Sequence, residues 1–175
     1  INANSVSVFL GDGNGSFQAR ADYPAGSGPI SVVAADLNGD GKIDLITANN
    51  RSNDITSLLY TGDGAFGAPA HYPAGNTPRW LAKGDFNGDT KTDIMVENTS
   101  TGERVLWLMN GTTVNSTISY GTIPTAWRIA ASADFNHDGQ IDIVWENTQT
   151  GQHAIWLMNG TVFQSAIDFG SIPPE

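Results

Sequence analysis

Nine aspartates stand in three short runs: Asp36, Asp40 and Asp44; Asp85, Asp89 and Asp93; Asp134, Asp138 and Asp142. With Asn38, Asn87 and Asn136 in place, each run reads Asp-x-Asn-x-Asp-x-x-x-Asp. Alternate residues of a tightly curled loop point inward, so the first, third, fifth and ninth positions can converge on one hard cation. Calcium takes about six to eight oxygens at flexible geometry, whereas magnesium keeps several waters and seldom uses a dedicated protein cage. The seventh position, Lys42, Lys91 or Gln140, offers its backbone carbonyl, which explains why lysine is tolerated there. The expected cofactor is therefore Ca2+, about three ions by this loop chemistry. Gly41 and Gly139 occupy the sixth position, where a sharp turn is needed, and Thr90 makes the middle loop the weakest of the three. An EF-hand opens with the same spacing but needs a glutamate at the twelfth position, where Thr47, Val96 and Trp145 stand, and helices on both sides. Three carboxylates held together without an ion repel one another, so the metal is expected to be part of the fold.

These loops hold half of the 18 acidic residues, against only eight lysines and arginines, and the formal net charge is −10. Three divalent ions would bring it to about −4. An acidic surface repels nucleic acid and anionic membranes, which excludes both as expected partners. No cysteine is present, so disulfides, thiolate metal sites and thiol nucleophiles are excluded. Calcium in place of disulfides suits the outside of a cell, where the free ion is abundant, and an extracellular location is expected. No run approaches 18 apolar residues, and no membrane insertion is expected. The start, INANSVSVFLGDG, has no basic and apolar leader pattern.

The elements that must carry the loops follow from their spacing. Residues 85–112 align without a gap on 134–161, DLNGDGKIDLITAN at 36–49 lies one step earlier, and the offset is 49 residues each time. Tyr23-Pro24-Ala25-Gly26 likewise recurs as Tyr72-Pro73-Ala74-Gly75. Within the middle copy, short apolar segments at 80–84, 93–97, 104–109 and 114–120 are separated by the loop and by the turn sequences NTSTGE and NGTT. Helical spacing is missing throughout. Four strands per repeat, arranged radially, predict an all-β fold: a β-propeller of four-stranded blades. The predicted organisation is one repeat region over 1–175, with a partial repeat at 1–35 and loop-led repeats at 36–84, 85–133 and 134–175. Three full units leave 28 residues over, so the chain holds about three and a half blades. It is expected to be part of a longer propeller, or to self-associate.

Trp107 and Trp156 recur at the 49-residue offset, as blade-to-blade packing demands. Trp80, Trp127 and Trp145 do not, which makes them the candidates for an exposed ligand site where a sugar ring could stack. His71, His137 and His153 are scattered and carry no repeated acid or hydroxyl partner, and Glu97 and Glu146 recur, which points to structure. No enzyme is expected.

Phe66-Gly67-Ala68-Pro69 and the three Asp loops resemble the FG-GAP/VCBS repeat family, which includes the propeller of integrin α-subunits and fungal lectins. The first unit departs from the signature with Phe17-Gln18-Ala19-Arg20. The resemblance implies a propeller, usually of about seven blades, with calcium between the first two strands of each blade. It also implies adhesion or ligand binding outside the cell, with glycans or an extracellular protein as partner. Fold alone does not separate a lectin-like binding module from a non-catalytic scaffold region of a larger secreted or surface protein or enzyme.

Overall fold

A computed structural model describes residues 4–171; positions 1–3 and 172–175, at the two ends of the 1–175 repeat region, lie outside the described residues. Strands β1 (Ser5–Val8) and β2 (Ala21–Pro24) pair as an antiparallel ribbon. The first four-stranded sheet runs β3 (Pro29–Ala35), β4 (Asp44–Asn49), β5 (Asp54–Leu58) and β8 (Ala70–Pro73). A small hairpin, β6 (Tyr60–Gly62) and β7 (Ala65–Phe66), interrupts it before the last strand. The second sheet is β9 (Pro78–Gly84), β10 (Asp93–Asn98), β11 (Glu103–Asn110) and β12 (Thr113–Thr122). The third is β13 (Trp127–Ala133), β14 (Asp142–Asn147), β15 (Gln152–Asn159) and β16 (Val162–Ser171). All pairings are antiparallel and follow chain order, with the β6–β7 hairpin inserted between β5 and β8, so each sheet is a meander. The described residues contain no helix. Each sheet begins one strand before its Asp loop, so sheets and loop-led sequence repeats are out of phase by one strand.

Short Gly-containing turns explain the meander. Gly111 and Gly160 adopt positive φ, 64° and 58°, in the two-residue turns that join the third and fourth strands of the second and third sheets. There a left-handed backbone matches the twist of the flanking strands.

The sheets stack face to face, and strand alternation sorts each residue to one junction or the other. On β10, Ile94 and Val96 enter a core shared with the first sheet, together with Ile46, Ala48, Ile55 and Trp107. Its neighbour Met95 points the other way, into a core shared with the third sheet, with Phe86, Leu106, Ile129, Ile143 and Trp145. This double burial is why DIMVEN is buried at every position. The last strand, β16, is exposed along most of its length.

The first strands of the three sheets lie side by side. Lys83 on β9 donates through Nζ to the Ala34 carbonyl on β3, and the Ser132 hydroxyl on β13 donates to the Lys83 carbonyl at 2.7 Å. Residues 34, 83 and 132 are one repeat position, so each sheet is related to the next by the same step. Tyrosines on β2 and β12 tie one unit to the next: Tyr23 donates to the Gly64 carbonyl at 3.2 Å and Tyr120 to that of Thr161 at 2.7 Å. Phe66 of the hairpin packs edge-on against Tyr23 and Tyr60, with centroids 5.1 and 5.5 Å away.

Candidate functional site

Each Asp loop joins the first strand of a sheet to the second, and the three have one geometry. The first-position carboxylate accepts backbone N–H groups from the loop it opens. Asp36 takes those of Gly39 (2.7 Å), Asp40 (3.2 Å) and Gly41 (2.8 Å). Asp85 takes those of Gly88 (2.7 Å), Asp89 (3.0 Å) and Thr90 (2.7 Å). Asp134 takes those of Asp138 (3.1 Å) and Gly139 (2.9 Å). Asn38, Asn87 and Asn136 accept from the fifth-position N–H at 3.1, 2.9 and 3.0 Å. The turn needs positive φ at the sixth position, and Thr90 adopts it (69°) like Gly41 (79°) and Gly139 (85°). A β-branched side chain is strained there. His137 takes the fourth position with φ 62°, where the other loops have glycine.

The ninth aspartate behaves differently. Asp44, Asp93 and Asp142 are completely buried. One oxygen of each accepts the second-position N–H of its own loop (Leu37, Phe86, Phe135, all at 3.0 Å), and the other accepts an N–H at the end of the third strand or just past it (Tyr60 2.8 Å, Met109 2.9 Å, Met158 3.0 Å). Burial raises the Asp93 carboxyl above the usual carboxylate range, the Met109 and Phe86 N–H groups pull it back, and the nearby Asp89 and Asp85 charges add to the rise.

The donor set is all oxygen and fits a hard cation. The hydrogen-bonded aspartates keep free lone pairs, since a carboxylate has about four acceptor sites. Among the described residues, however, no three His, Cys, Asp or Glu side chains already stand gathered as a metal cluster. The seventh positions also differ more than the sequence suggests. The ammonium groups of Lys42 and Lys91 sit 3.9 Å from the Asp40 and Asp89 carboxylates and compete with a cation. Gln140 instead accepts the Gly160 N–H at 2.8 Å and leaves its loop uncompensated.

Two crevices open between the second and third sheets. One, of about 200 Å³, is lined by Ile123, Pro124, Trp127, Trp145, Ala154 and Trp156. Its counterpart between the first and second sheets, about 190 Å³, has Ala74, Gly75, Val96, Val105 and Trp107 at the positions 49 residues earlier. The same cleft is thus repeated, and one copy has become aromatic. The other crevice, about 470 Å³, is polar and includes Arg79, Trp80, Glu97 and Arg128.

The expectation that Trp80, Trp127 and Trp145 form an exposed set needs correction. Trp145 is 2% exposed. Alternation along β14 turns it toward the second sheet, and its cross-strand partner is Ala154, where the second sheet pairs Val96 with Val105. The small partner makes room for the indole, whose Nε1 is buried without a hydrogen-bond partner. Trp80 and Trp127 are half-buried and line different crevices. Trp107 lies in the core, as its recurrence predicts, while Trp156 sits 4.9 Å from Trp145 and borders the aromatic cleft.

The FG-GAP-like repeat pattern matches residues 1–47, 36–96 and 85–145, and each match ends just past an Asp loop. The chain belongs to the FG-GAP-like repeat family. Its fold overlays, with a TM-score of 0.67, a chain from a study of the structural basis of specific recognition of non-reducing terminal N-acetylglucosamine by an Agrocybe aegerita lectin. The two are 18% identical, and the overlay covers 96% of this chain and 47% of that one. Among curated proteins no relative matches.

In this FG-GAP-like chain the residues most easily missed are the charged ones between the second and third sheets. Glu97 and Arg104 pair across β10 and β11 at 3.1 Å with side-chain exposures of 1% and 0%. Glu97 also accepts the Ile129 N–H (3.1 Å), and Arg104 donates to the Trp127 carbonyl (2.6 Å) and lies 5.5 Å from the Trp145 ring centre. One repeat later, Glu146 stands opposite His153 but turns to Arg128 (2.5 Å). The recurrence of arginine at 79 and 128 was the available signal. His71 approaches both Asp54 and Thr56 at 3.1 Å, but through the same Nδ1, so the three cannot pass a proton from hydroxyl to acid through the ring.

Proposed function

We propose that this chain is a non-catalytic carbohydrate-binding module, built as consecutive blades of a calcium-stabilised β-propeller and working outside the cell. The observation that carries the binding reading is the aromatic cleft. A repeated inter-sheet crevice holds one tryptophan at the first junction and three at the second, a lining suited to stacking the apolar face of a sugar. The N-acetylglucosamine-recognising neighbour of the same fold supports the choice of first ligand. The propeller reading draws support from the constant step between sheets and from the greater length of that neighbour.

Titration with N-acetylglucosamine, followed by tryptophan fluorescence, tests it. Trp127→Ala is expected to weaken binding about tenfold or more, as loss of a central aromatic contact does. Unchanged affinity in that variant excludes the cleft. A chain that gains stability in calcium and binds no saccharide is a scaffold, the second reading left by the sequence.

Calcium supplies charge neutralisation in the loops when bound. At millimolar calcium each site should add about 1 kcal/mol, or about 2–4 °C in melting temperature for a chain of this size. Asp36→Asn and Asp134→Asn keep a turn-capping oxygen and lose the charge, so they should reduce the calcium gain while leaving the melt in chelator nearly unchanged. Asp134→Asn should remove more of it, because Lys42 has no counterpart in the third loop. An equal melting temperature in calcium and in chelator for the parent chain would refute the metal assignment.

A further inference from the structure

We propose that the polar crevice between the second and third sheets is a second binding site, separate from the aromatic cleft, and that it takes a carboxylate-bearing saccharide such as a uronic acid. It is the roomier of the two, about 470 Å³, within the ~300–1,000 Å³ range of small-molecule sites. Its charges do not cancel. Glu97 is paired with Arg104 and Glu146 with Arg128, and among the described residues Arg79 has no carboxylate partner. Among the described residues Arg51 and Lys83 are likewise exposed without a carboxylate partner, but neither lines this crevice, and Arg79 does. It leaves the crevice with one net positive charge.

The geometry also says what surrounds the anion. Arg128 is immobilised, bonded to Glu146 through Nε (3.0 Å) and Nη2 (2.5 Å) and stacked on Trp80 with 4.9 Å to the ring centre. Arg79, at the equivalent repeat position, keeps its planar fork free for a carboxylate, the geometry a guanidinium matches best. The Thr99 and Thr148 hydroxyls donate to the backbone carbonyls of Thr77 (3.2 Å) and Ala126 (3.0 Å). Their remaining capacity is to accept, so they suit ligand hydroxyl groups. An acceptor pair beside a lone cation selects a ligand that has both hydroxyls and a negative charge.

The test compares trigalacturonate with its methyl ester by calorimetry, in calcium and at low salt, on the parent chain and on Arg79→Gln and Trp127→Ala. The parent is expected to bind the acid about tenfold tighter than the ester, the step typical of one charge-assisted contact. Arg79→Gln should erase that preference with an unchanged melt, since the side chain is exposed, and Trp127→Ala should keep it. No preference in the parent, a preference that survives Arg79→Gln, or one lost in Trp127→Ala overturns the site. Equal affinity for a sulfated trisaccharide overturns the carboxylate assignment. Failure of N-acetylglucosamine binding alone bears on the aromatic cleft and not on this crevice.

Discussion

Arg104→Met is expected to destabilise the chain by roughly 3–5 kcal/mol, the cost of leaving a buried carboxylate without its partner. Arg104 and Glu97 are buried together between the second and third sheets, where water cannot replace either charge. The guanidinium also holds the third sheet through the Trp127 carbonyl, so its loss loosens the junction that bears both crevices. The double variant Arg104→Met with Glu97→Gln should recover much of the loss, because the damage comes from the orphaned charge. Urea unfolding of the parent, the two single variants and the double variant measures this coupling; a double variant as unstable as Arg104→Met would refute the account.

The same pair sets a pH dependence with a definite sign. Burial raises the Glu97 carboxyl, and the Arg104 charge only partly lowers it. The folded chain then holds a proton at pH values where the unfolded chain has released it. This group's contribution to stability is complete below about 4.5, its ordinary value, and is lost as pH rises through the folded value. Glu97→Gln should flatten that part of the stability profile in chelator.

Asp93→Ala should cost roughly 2–5 kcal/mol even in chelator, from two backbone N–H groups stripped of a buried acceptor. The carboxylate bridges Phe86, beside the start of the loop, to Met109 on the third strand, so it closes the loop against its own sheet whether or not an ion is bound. Asp85→Asn in the same loop should cost far less in chelator, because its N–H partners are open to water. Thermal melts of both variants with and without calcium separate the two roles. Equal losses in chelator would mean that the ninth position is no more structural than the first.

The sequence by itself determined the repeat, the all-β architecture and the oxygen-rich composition of the loops, since all three depend on local patterns. A 49-residue offset, Gly-containing turns and alternating oxygen donors are properties of neighbouring residues along the chain. Strand ends moved by only one or two residues, as at Pro78–Gly84 for the segment beginning at Trp80. The tertiary structure decided what depends on packing between sheets. Trp145 looked free because it does not recur, yet the small Ala154 across the strand admits its ring to the core. The ninth aspartates looked like metal ligands equal to the rest, yet burial and two backbone donors give them a structural task of their own. Arg79 and Arg128 recur at one repeat position, as do Glu97 and Glu146, but Arg104 takes Glu97 in the second sheet, whereas Glu146 stands opposite His153 in the third and turns to Arg128. Repetition in sequence sets the same backbone at each step, while burial and charge at a junction depend on residues about 49 positions away.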